Sequence, residues 1–278
     1  DESKRAIRTD IGCGFYCMHT ALTIAGSDSG GGAGIQADLK TFAALGVYGT
    51  SAITAVTAQN TLGVRAWEPI SESLVVAQIE AVVEDIGADA VKIGMLATAS
   101  IVRAVERTIV RLGLRRIVID PVMIAKGGDR LLQEDAVVAL RSLLPRAHVV
   151  TPNVPEAEVL TGLHIRTLDD MREAGRRILA DGPRVVLVKG GHAQGPDSVD
   201  IACTAEGEFE IRGPRLPGRN THGTGCTLSS AIAAHLARGI PDELSLRHAR
   251  TYLEGAIRSA PEIGGGHGPL NHMWQGRC

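Results

Sequence analysis

The chain has 278 residues, 44% of them apolar and 22% charged, which is ordinary for a globular protein with a sizeable core. Lys plus Arg (29) nearly balances Asp plus Glu (31), so the net charge of −2 gives no electrostatic basis for binding nucleic acid or an anionic membrane. Aromatic residues make up only 3%, and no apolar run is long enough to span a bilayer. Five cysteines, an odd number in a large chain, argue against a disulfide framework. We therefore expect a cytoplasmic protein with no nucleic-acid or membrane partner.

Strands and helices alternate through most of the chain, without a linker or an internal repeat, which predicts one domain over residues 18–278. Met18 stands just before the first strand, and we expect residues 1–17 to be a disordered or artefactual N-terminal extension. The predicted strands are 21–25, 50–57, 64–69, 90–93, 116–120, 148–151, 184–188, 199–204 and 208–212. The predicted helices are 35–45, 71–86, 100–112, 134–144, 155–160, 169–180, 225–237 and 242–259.

The internal predicted strands are continuous apolar runs, such as Val185–Val188 and Ile117–Ile119. Strands that are buried on both faces have this pattern, and a parallel sheet covered by helices produces it. Ligands bind such sheets beyond the carboxyl ends of the strands. The polar residues that fall at these predicted ends are Asp28, Gln59, Asp120, Asn153 and Lys189.

A glycine cluster, Gly30–Gly34, follows the first predicted strand. It is not a P-loop, because no Gly-Lys-Ser/Thr follows it, and it lacks the spacing of a dinucleotide fingerprint. A glycine-rich turn into a helix could hold a small polar ligand by its backbone, or it could be no more than a tight turn. Both interpretations stay open.

Further along the chain, Asn153 and Glu156 lie three residues apart across a predicted helix start. Their oxygens suit Mg²⁺, but the same two residues also fit a helix cap, which their spacing alone favours. Asp120 could join a Mg²⁺ site or form a turn with the proline that follows it. Lys189 leaves another predicted strand, where its ammonium group could meet a phosphate.

The run Asn220–Cys226 leads into a predicted helix, so that two glycines and Cys226 lie at the helix N-terminus. The first N–H groups of a helix have no partner within it, and the helix dipole favours negative charge there. Glycine lets the backbone approach an anion closely, and a cysteine in this position has its thiolate favoured. Such a site is what acyl or phosphoryl transfer needs. The alternative is a glycine-rich loop with a buried cysteine.

Together these segments resemble the hydroxymethylpyrimidine/phosphomethylpyrimidine kinases of thiamin synthesis, a branch of the ribokinase-like superfamily. The similarity covers about residues 20–274, and residues 1–17 have no counterpart in the family pattern. The matching segments are 21–28, 34–41, 58–61, 92–96, 120–122, 151–156, 189–192, 220–226, 266–269 and 271–272.

The resemblance implies a three-layer α/β fold of the ribokinase-like type, with a central, mainly parallel sheet flanked by helices. It implies use of ATP and Mg²⁺ to phosphorylate the hydroxymethyl group of 4-amino-5-hydroxymethyl-2-methylpyrimidine. A second transfer then gives the diphosphate. It also implies a homodimer, and a requirement for a monovalent cation stays open.

The resemblance also assigns roles to residues by position. Cys226 is implied to be the general base, at a position where most sugar kinases of the superfamily carry Asp. The implied anion hole and catalytic group are Gly223, Thr224, Gly225 and Cys226. The residues implied to bind the pyrimidine are Gly26, Asp38, Gln59, Met95 and Val122, the last through its backbone. Those implied to bind ATP are Asn153, Lys189, Gly191 and Thr221, and those implied to bind the metal are Asp120, Asn153 and Glu156.

Two alternative functions stay open. Pyridoxal, like the aminopyrimidine, is a flat nitrogen heterocycle that carries a CH₂OH group, so a pyridoxal kinase is the first alternative. Gln59 favours the aminopyrimidine, because an amide can both donate to and accept from its ring nitrogen and amino group. The second alternative is a ligand-binding sensor on a kinase scaffold, since a fold alone does not fix function.

Overall fold

The computed structural model describes residues 18–123, 134–190, 197–216 and 218–276. The strands within these residues are β1 Thr20–Ala25, β2 Tyr48–Ile53, β3 Ala55–Asn60, β4 Gly63–Pro69, β5 Ala90–Ile93, β6 Ile117–Ile119, β7 Val149–Val150, β8 Val185–Val188, β9 Asp197–Thr204 and β10 Gly207–Pro214. The helices are α1 Gly34–Ala44, α2 Glu72–Asp85, α3 Ala99–Arg111, α4 Glu134–Leu143, α5 Val154–Thr161, α6 Leu168–Ala180, α7 Thr224–Ala237 and α8 Asp242–Arg258.

The main sheet has eight strands in the order β2-β1-β5-β6-β7-β8-β9-β10. Neighbours from β2 to β8 pair in parallel, whereas β9 pairs antiparallel with both β8 and β10. Every residue of β5, β6 and β8 is buried, as expected for strands that are covered on both faces. One face packs against α2 to α6 and the other against α1, α7 and α8. The predicted three-layer α/β fold is confirmed.

The predicted strand 50–57 is wrong, because the chain forms two strands there that belong to different sheets. Thr54 lies at the break, where its N–H donates to the Ala25 carbonyl (3.0 Å) and its hydroxyl donates to the Met95 carbonyl (2.6 Å). These bonds turn the chain out of the main sheet. β3 then pairs antiparallel with β4 in a separate two-stranded sheet. The predicted edge strand 64–69 therefore belongs to this hairpin, whose first strand carries Gln59.

The other predicted elements agree with the structure, with bounds that differ by at most two residues. None of the helices in the described ranges combines the length and the apolar character needed to cross a membrane.

A buried carboxylate joins four elements beneath the strand ends. Asp38 on α1 accepts hydrogen bonds from Thr23 on β1 (2.6 Å), from the Lys92 ammonium on β5 (2.8 Å) and from Ser230 on α7 (2.6 Å). Both charged side chains of the Lys92–Asp38 pair are fully buried. Burial alone would lower the pKa of Lys92, but the negative charges of Asp38, Cys226 and Asp120 and the hydrogen bond to Asp38 together outweigh it and raise that pKa.

We expect Asp38→Asn to lower the free energy of unfolding by about 3–5 kcal/mol, because it leaves the Lys92 charge buried without its counter-ion. Urea denaturation followed by circular dichroism measures this loss. Glu173→Gln is the matched control, since it makes the same chemical change in exposed ion pairs with Arg176 and Arg177. Equal denaturation midpoints for both variants would contradict a structural role for the buried pair.

Candidate active site

A cavity of about 230 Å³ lies where the carboxyl ends of the parallel strands face the start of α7. The loops after β1, β5, β6, β7 and β8 all contribute to its wall, as expected for a parallel sheet. The predicted site residues that line it are Gly26, Gln59, Met95, Asp120, Val122, Asn153, Glu156, Lys189, Thr221, Gly223, Thr224, Gly225 and Cys226.

The start of α7 forms one wall of this cavity. Gly223 is the N-cap, with a φ of 82°, a left-handed conformation that suits glycine. At Gly225 an added Cβ would lie 3.2 Å from an Asp120 carboxylate oxygen and 3.4 Å from Lys189 Nζ. The helix N-terminus therefore opens directly onto a lysine and a carboxylate. The N–H groups at the start of a helix are suited to binding an anion.

Cys226 is the third residue of α7, as the sequence predicted. Burial raises the pKa of its thiol to about 11, with Asp38 and Asp120 adding to this effect and the positive charge of Lys92 opposing it. The prediction that the helix N-terminus favours the thiolate is therefore wrong for the free protein. Burial and two nearby carboxylates outweigh the helix dipole.

One side of the cavity carries two carboxylates, those of Asp120 and Glu156, with Lys189 next to them. The Lys189 ammonium group donates to Asp120 (2.8 Å) and lies 4.0 Å from the Glu156 carboxylate. Burial opposes ionisation of Asp120, but the charges of Lys189 and Lys92 outweigh it and hold the pKa of Asp120 below its usual value. Glu156 lacks so close a cation, and burial, helped by Asp120, raises its pKa to about 7.

Asn153 and Glu156 form a complete capping box on α5. The Asn153 side chain accepts from the Glu156 N–H (2.9 Å), and the Glu156 carboxylate accepts from the Asn153 N–H (2.8 Å). The helix-cap interpretation is confirmed. Both residues also line the cavity, so the cap holds their polar atoms at its wall.

The first glycine cluster is a tight turn around Asp28. The Asp28 carboxylate accepts from the N–H groups of Gly30 (2.8 Å), Gly32 (3.0 Å) and Ala33 (2.8 Å). Because these donors are used within the turn, they do not serve a ligand. Burial opposes the ionised form of Asp28, but hydrogen bonds from His222 and these N–H groups hold its pKa below the usual value.

Gln59 reaches the cavity from the end of β3 and contacts His222 there. One end of the Gln59 side-chain amide lies 3.1 Å from His222 Nε2, which in turn lies 2.8 Å from an Asp28 carboxylate oxygen. The Gln59 side chain thus contacts the residue that directly precedes the N-cap of α7.

A second cavity, of about 260 Å³, adjoins the first on the far side of Lys189. It lies between the β9–β10 hairpin and helices α7 and α8, and its walls include Arg250, Leu253 and Ile257. The residues that line both cavities are Asn153, Lys189, Thr221, Thr224 and Gly225. The two cavities therefore meet at the start of α7, an arrangement suited to transfer between two bound molecules.

One predicted residue differs from the expectation, and one stays a prediction. Asp38 is fully buried behind the cavity wall, where Lys92 and two hydroxyl groups use its oxygens, so it does not line the pocket as predicted. Gly191 lies outside the described residues.

The sequence analysis gave no role to Lys92 or His222, although both line the cavity. A lysine within the otherwise apolar run of β5 was the available signal for a buried ion pair.

The anion-binding helix start, the lysine and the carboxylates between two cavities together define a site for phosphoryl transfer. The phosphomethylpyrimidine kinase family matches residues 28–271 of the chain. The chain therefore belongs to the phosphomethylpyrimidine kinase family.

Individual relatives agree with this family. The chain is 47% identical over 258 residues to the hydroxymethylpyrimidine/phosphomethylpyrimidine kinase of Bacillus subtilis, covering 92% of this chain and 95% of that protein. It is 49% identical over 255 residues to the thiamine biosynthesis bifunctional protein of Geobacter sulfurreducens, which covers 91% of this chain but only 52% of that protein. The chain thus spans about half the length of this bifunctional relative. The solved ADP complex of Bacillus subtilis pyridoxal kinase has a TM-score of 0.87 and 39% identity, covering 93% of this chain and 98% of that one.

We expect the alkylation rate of Cys226 by iodoacetamide to rise with pH without a plateau below about pH 10, because the thiolate is the reactive form and its pKa is about 11. Peptide mapping by mass spectrometry separates Cys226 from the other cysteines, and Cys226→Ser identifies the modified peptide. A plateau that begins near pH 7 would show that the helix N-terminus does stabilise the thiolate in the free protein.

Proposed function

We propose that this kinase phosphorylates the hydroxymethyl group of 4-amino-5-hydroxymethyl-2-methylpyrimidine with ATP, and then phosphorylates the monophosphate to the diphosphate, in thiamin biosynthesis. The observation that carries the proposal is the position of Gln59 and Cys226 in one cavity that meets a second cavity at the anion-binding start of α7. The names of the Bacillus subtilis and Geobacter sulfurreducens relatives support the same substrate and pathway.

The first cavity has the chemistry to hold the pyrimidine. The Gln59 amide can pair with the ring nitrogen and the amino group, while Met95 supplies an apolar contact for the ring and Val122 contributes its backbone. This places the CH₂OH group towards Cys226. ATP would occupy the second cavity, with its triphosphate at Lys189 and the start of α7.

In the proposed step, the substrate hydroxyl oxygen attacks the γ-phosphorus of ATP, and the bond from that phosphorus to the β,γ-bridging oxygen breaks to release ADP. The hydroxyl proton passes to the sulfur of Cys226. The base is the thiolate form. In the free protein burial holds the pKa of this thiol at about 11, and the buried charge of Lys92 is what opposes that effect. The N–H groups of residues 223–226 and the Lys189 ammonium stabilise the charge on the transferred phosphoryl group.

Mg²⁺ fits the acidic side of this site as a partner of ATP. In the described part of the chain, no group of three or more His, Cys, Asp or Glu side chains is arranged to hold a metal by itself. Mg²⁺ typically binds through one or two carboxylates together with substrate phosphates and water. Asp120 and Glu156 supply such carboxylates beside Lys189, with Asn153 adjacent. When bound, Mg²⁺ supplies charge neutralisation on the phosphates.

Pyridoxal phosphorylation is the second candidate function. The observation that favours it is the similarity to the Bacillus subtilis pyridoxal kinase, at 39% identity and a TM-score of 0.87. Gln59 argues for the aminopyrimidine, because pyridoxal lacks an amino group beside a ring nitrogen with which the amide could pair.

We also propose that the protein is a cytoplasmic homodimer. ATP as the phosphoryl donor supports the cytoplasm. The exposed side chains of Tyr48 on β2, Val56 on β3 and Leu62 between β3 and β4 support association through this edge of the molecule. Analytical ultracentrifugation tests this, and a single species of 29.2 kDa would contradict it.

We expect a kinase assay with mass-resolved products to yield the diphosphate from both the aminopyrimidine alcohol and its monophosphate, with pyridoxal turned over slowly. The physical reason is the match between the Gln59 amide and the aminopyrimidine edge. Purified protein, ATP and Mg²⁺ are mixed separately with each of the three acceptors. Fast turnover of pyridoxal alone would assign the second candidate function. Tight binding without turnover of any acceptor would indicate a sensor.

We expect Cys226→Ala to lower turnover of the aminopyrimidine alcohol by about 10²–10⁴-fold while the protein stays folded, because the variant lacks the general base. Steady-state kinetics and thermal denaturation measure the two properties. Cys203→Ala is the matched control, since Cys203 is buried on β9 away from both cavities. Turnover by Cys226→Ala that matches this control would remove the base assignment.

A further inference from the structure

The hydrogen bonds around Asp28 determine where the ring hydrogen of His222 lies. The Asp28 carboxylate accepts three backbone N–H groups and lies 2.8 Å from His222 Nε2. An ionised carboxylate can only accept hydrogen bonds. His222 Nε2 must therefore carry a hydrogen and donate it to Asp28.

This hydrogen decides the orientation of the Gln59 amide. The amide position 3.1 Å from His222 Nε2 cannot be the NH₂ group, because two donors would then face each other. The other end of the amide lies 3.3 Å from the Thr57 hydroxyl, whose single hydrogen is already donated to the Ser27 carbonyl at 2.8 Å. Thr57 can therefore only accept from Gln59. Both contacts require the amide oxygen on the His222 side and the NH₂ group on the Thr57 side.

His222 itself has little freedom to turn. An added Cβ at Gly32 would lie 2.6 Å from His222 Cδ2, so the glycine turn lies closely against the imidazole. The backbone N–H of His222 donates to the Gly268 carbonyl at 3.2 Å, and the backbone of His222 forms a β-bridge with Pro269. The ring is thus confined, and its Nε2 hydrogen stays directed at Asp28, with the Gln59 amide beside it.

We propose that His222 is a positioning residue that fixes the orientation of the Gln59 amide and thereby sets which ring edge the cavity accepts. Gln59, His222 and Thr57 all line the cavity. With the amide oxygen facing the His222 N–H and the NH₂ group donating to Thr57, the amide keeps one orientation and still has an oxygen lone pair and an N–H for a ligand in the cavity. This inference rests on the proposed function, since it identifies the pyrimidine edge as the group that is recognised.

Binding of two pyrimidines tests the proposal without relying on turnover. Calorimetry compares the aminopyrimidine alcohol with the analogue that lacks the amino group, for the wild type and for His222→Phe, which keeps a ring but removes its N–H. We expect the wild type to prefer the amino compound and His222→Phe to lose about tenfold or more of that preference, because the amide is then free to turn over. His164→Phe is the matched control at an exposed histidine and should keep the preference.

A double-mutant cycle separates positioning from packing. In a Gln59→Leu background, His222→Phe should change the preference less than about twofold, since no amide is left to orient. A His222→Phe variant that binds both pyrimidines more weakly by the same factor, so that the wild-type preference is retained, would overturn the proposal.

Nitrogen-15 NMR of the wild type without ligand gives an independent test that needs no variant to fold. We expect His222 to carry its hydrogen on Nε2, and an Nδ1–H tautomer would overturn the assignment. If the wild type itself shows no preference between the two pyrimidines, the proposed function fails. The NMR result then still decides the His222 assignment.

Discussion

The buried Asp38 carboxylate is the interaction on which the arrangement of the site depends. It holds β1, β5 and α7 to α1 through three hydrogen bonds, at the end of the sheet where the strands open into the cavity. A fully buried ion pair is costly to form, because both ions must be removed from water. The two charges of this pair act in opposite directions on the nearby Cys226 thiol, since Lys92 lowers its pKa and Asp38 raises it.

Next to this buried ion pair, the N-terminus of α7 borders both cavities. The dipole and N–H groups of the helix offer one anion-binding site, and Lys189 stands beside it with its charge balanced by Asp120. A phosphoryl group that moves from one cavity to the other would pass this point. His222, directly before the N-cap, links the same point to Gln59. Gln59 and the start of α7 are therefore adjacent in space, although Gln59 and His222 lie 163 positions apart in the sequence.

The sequence was most informative where local patterns decide the structure. The apolar runs predicted the parallel sheet, and the glycines before an apolar helix predicted the position of Cys226 at its start. The break at Thr54 was missed because it depends on bonds to Ala25 and Met95, which are distant in sequence. The raised pKa of Cys226 was missed for the same reason, since burial and carboxylates from other elements cause it. Asp38 was misplaced because its partners come from three different elements.

The measurement that tests this account most directly is a crystal structure of the protein with a non-hydrolysable ATP analogue and the aminopyrimidine alcohol. The account predicts the pyrimidine edge at Gln59, its hydroxyl oxygen beside the Cys226 sulfur, and the terminal phosphate at the N-terminus of α7 with the nucleoside in the second cavity. A terminal phosphate bound away from residues 223–226, or a pyrimidine whose amino group faces away from Gln59, would contradict it.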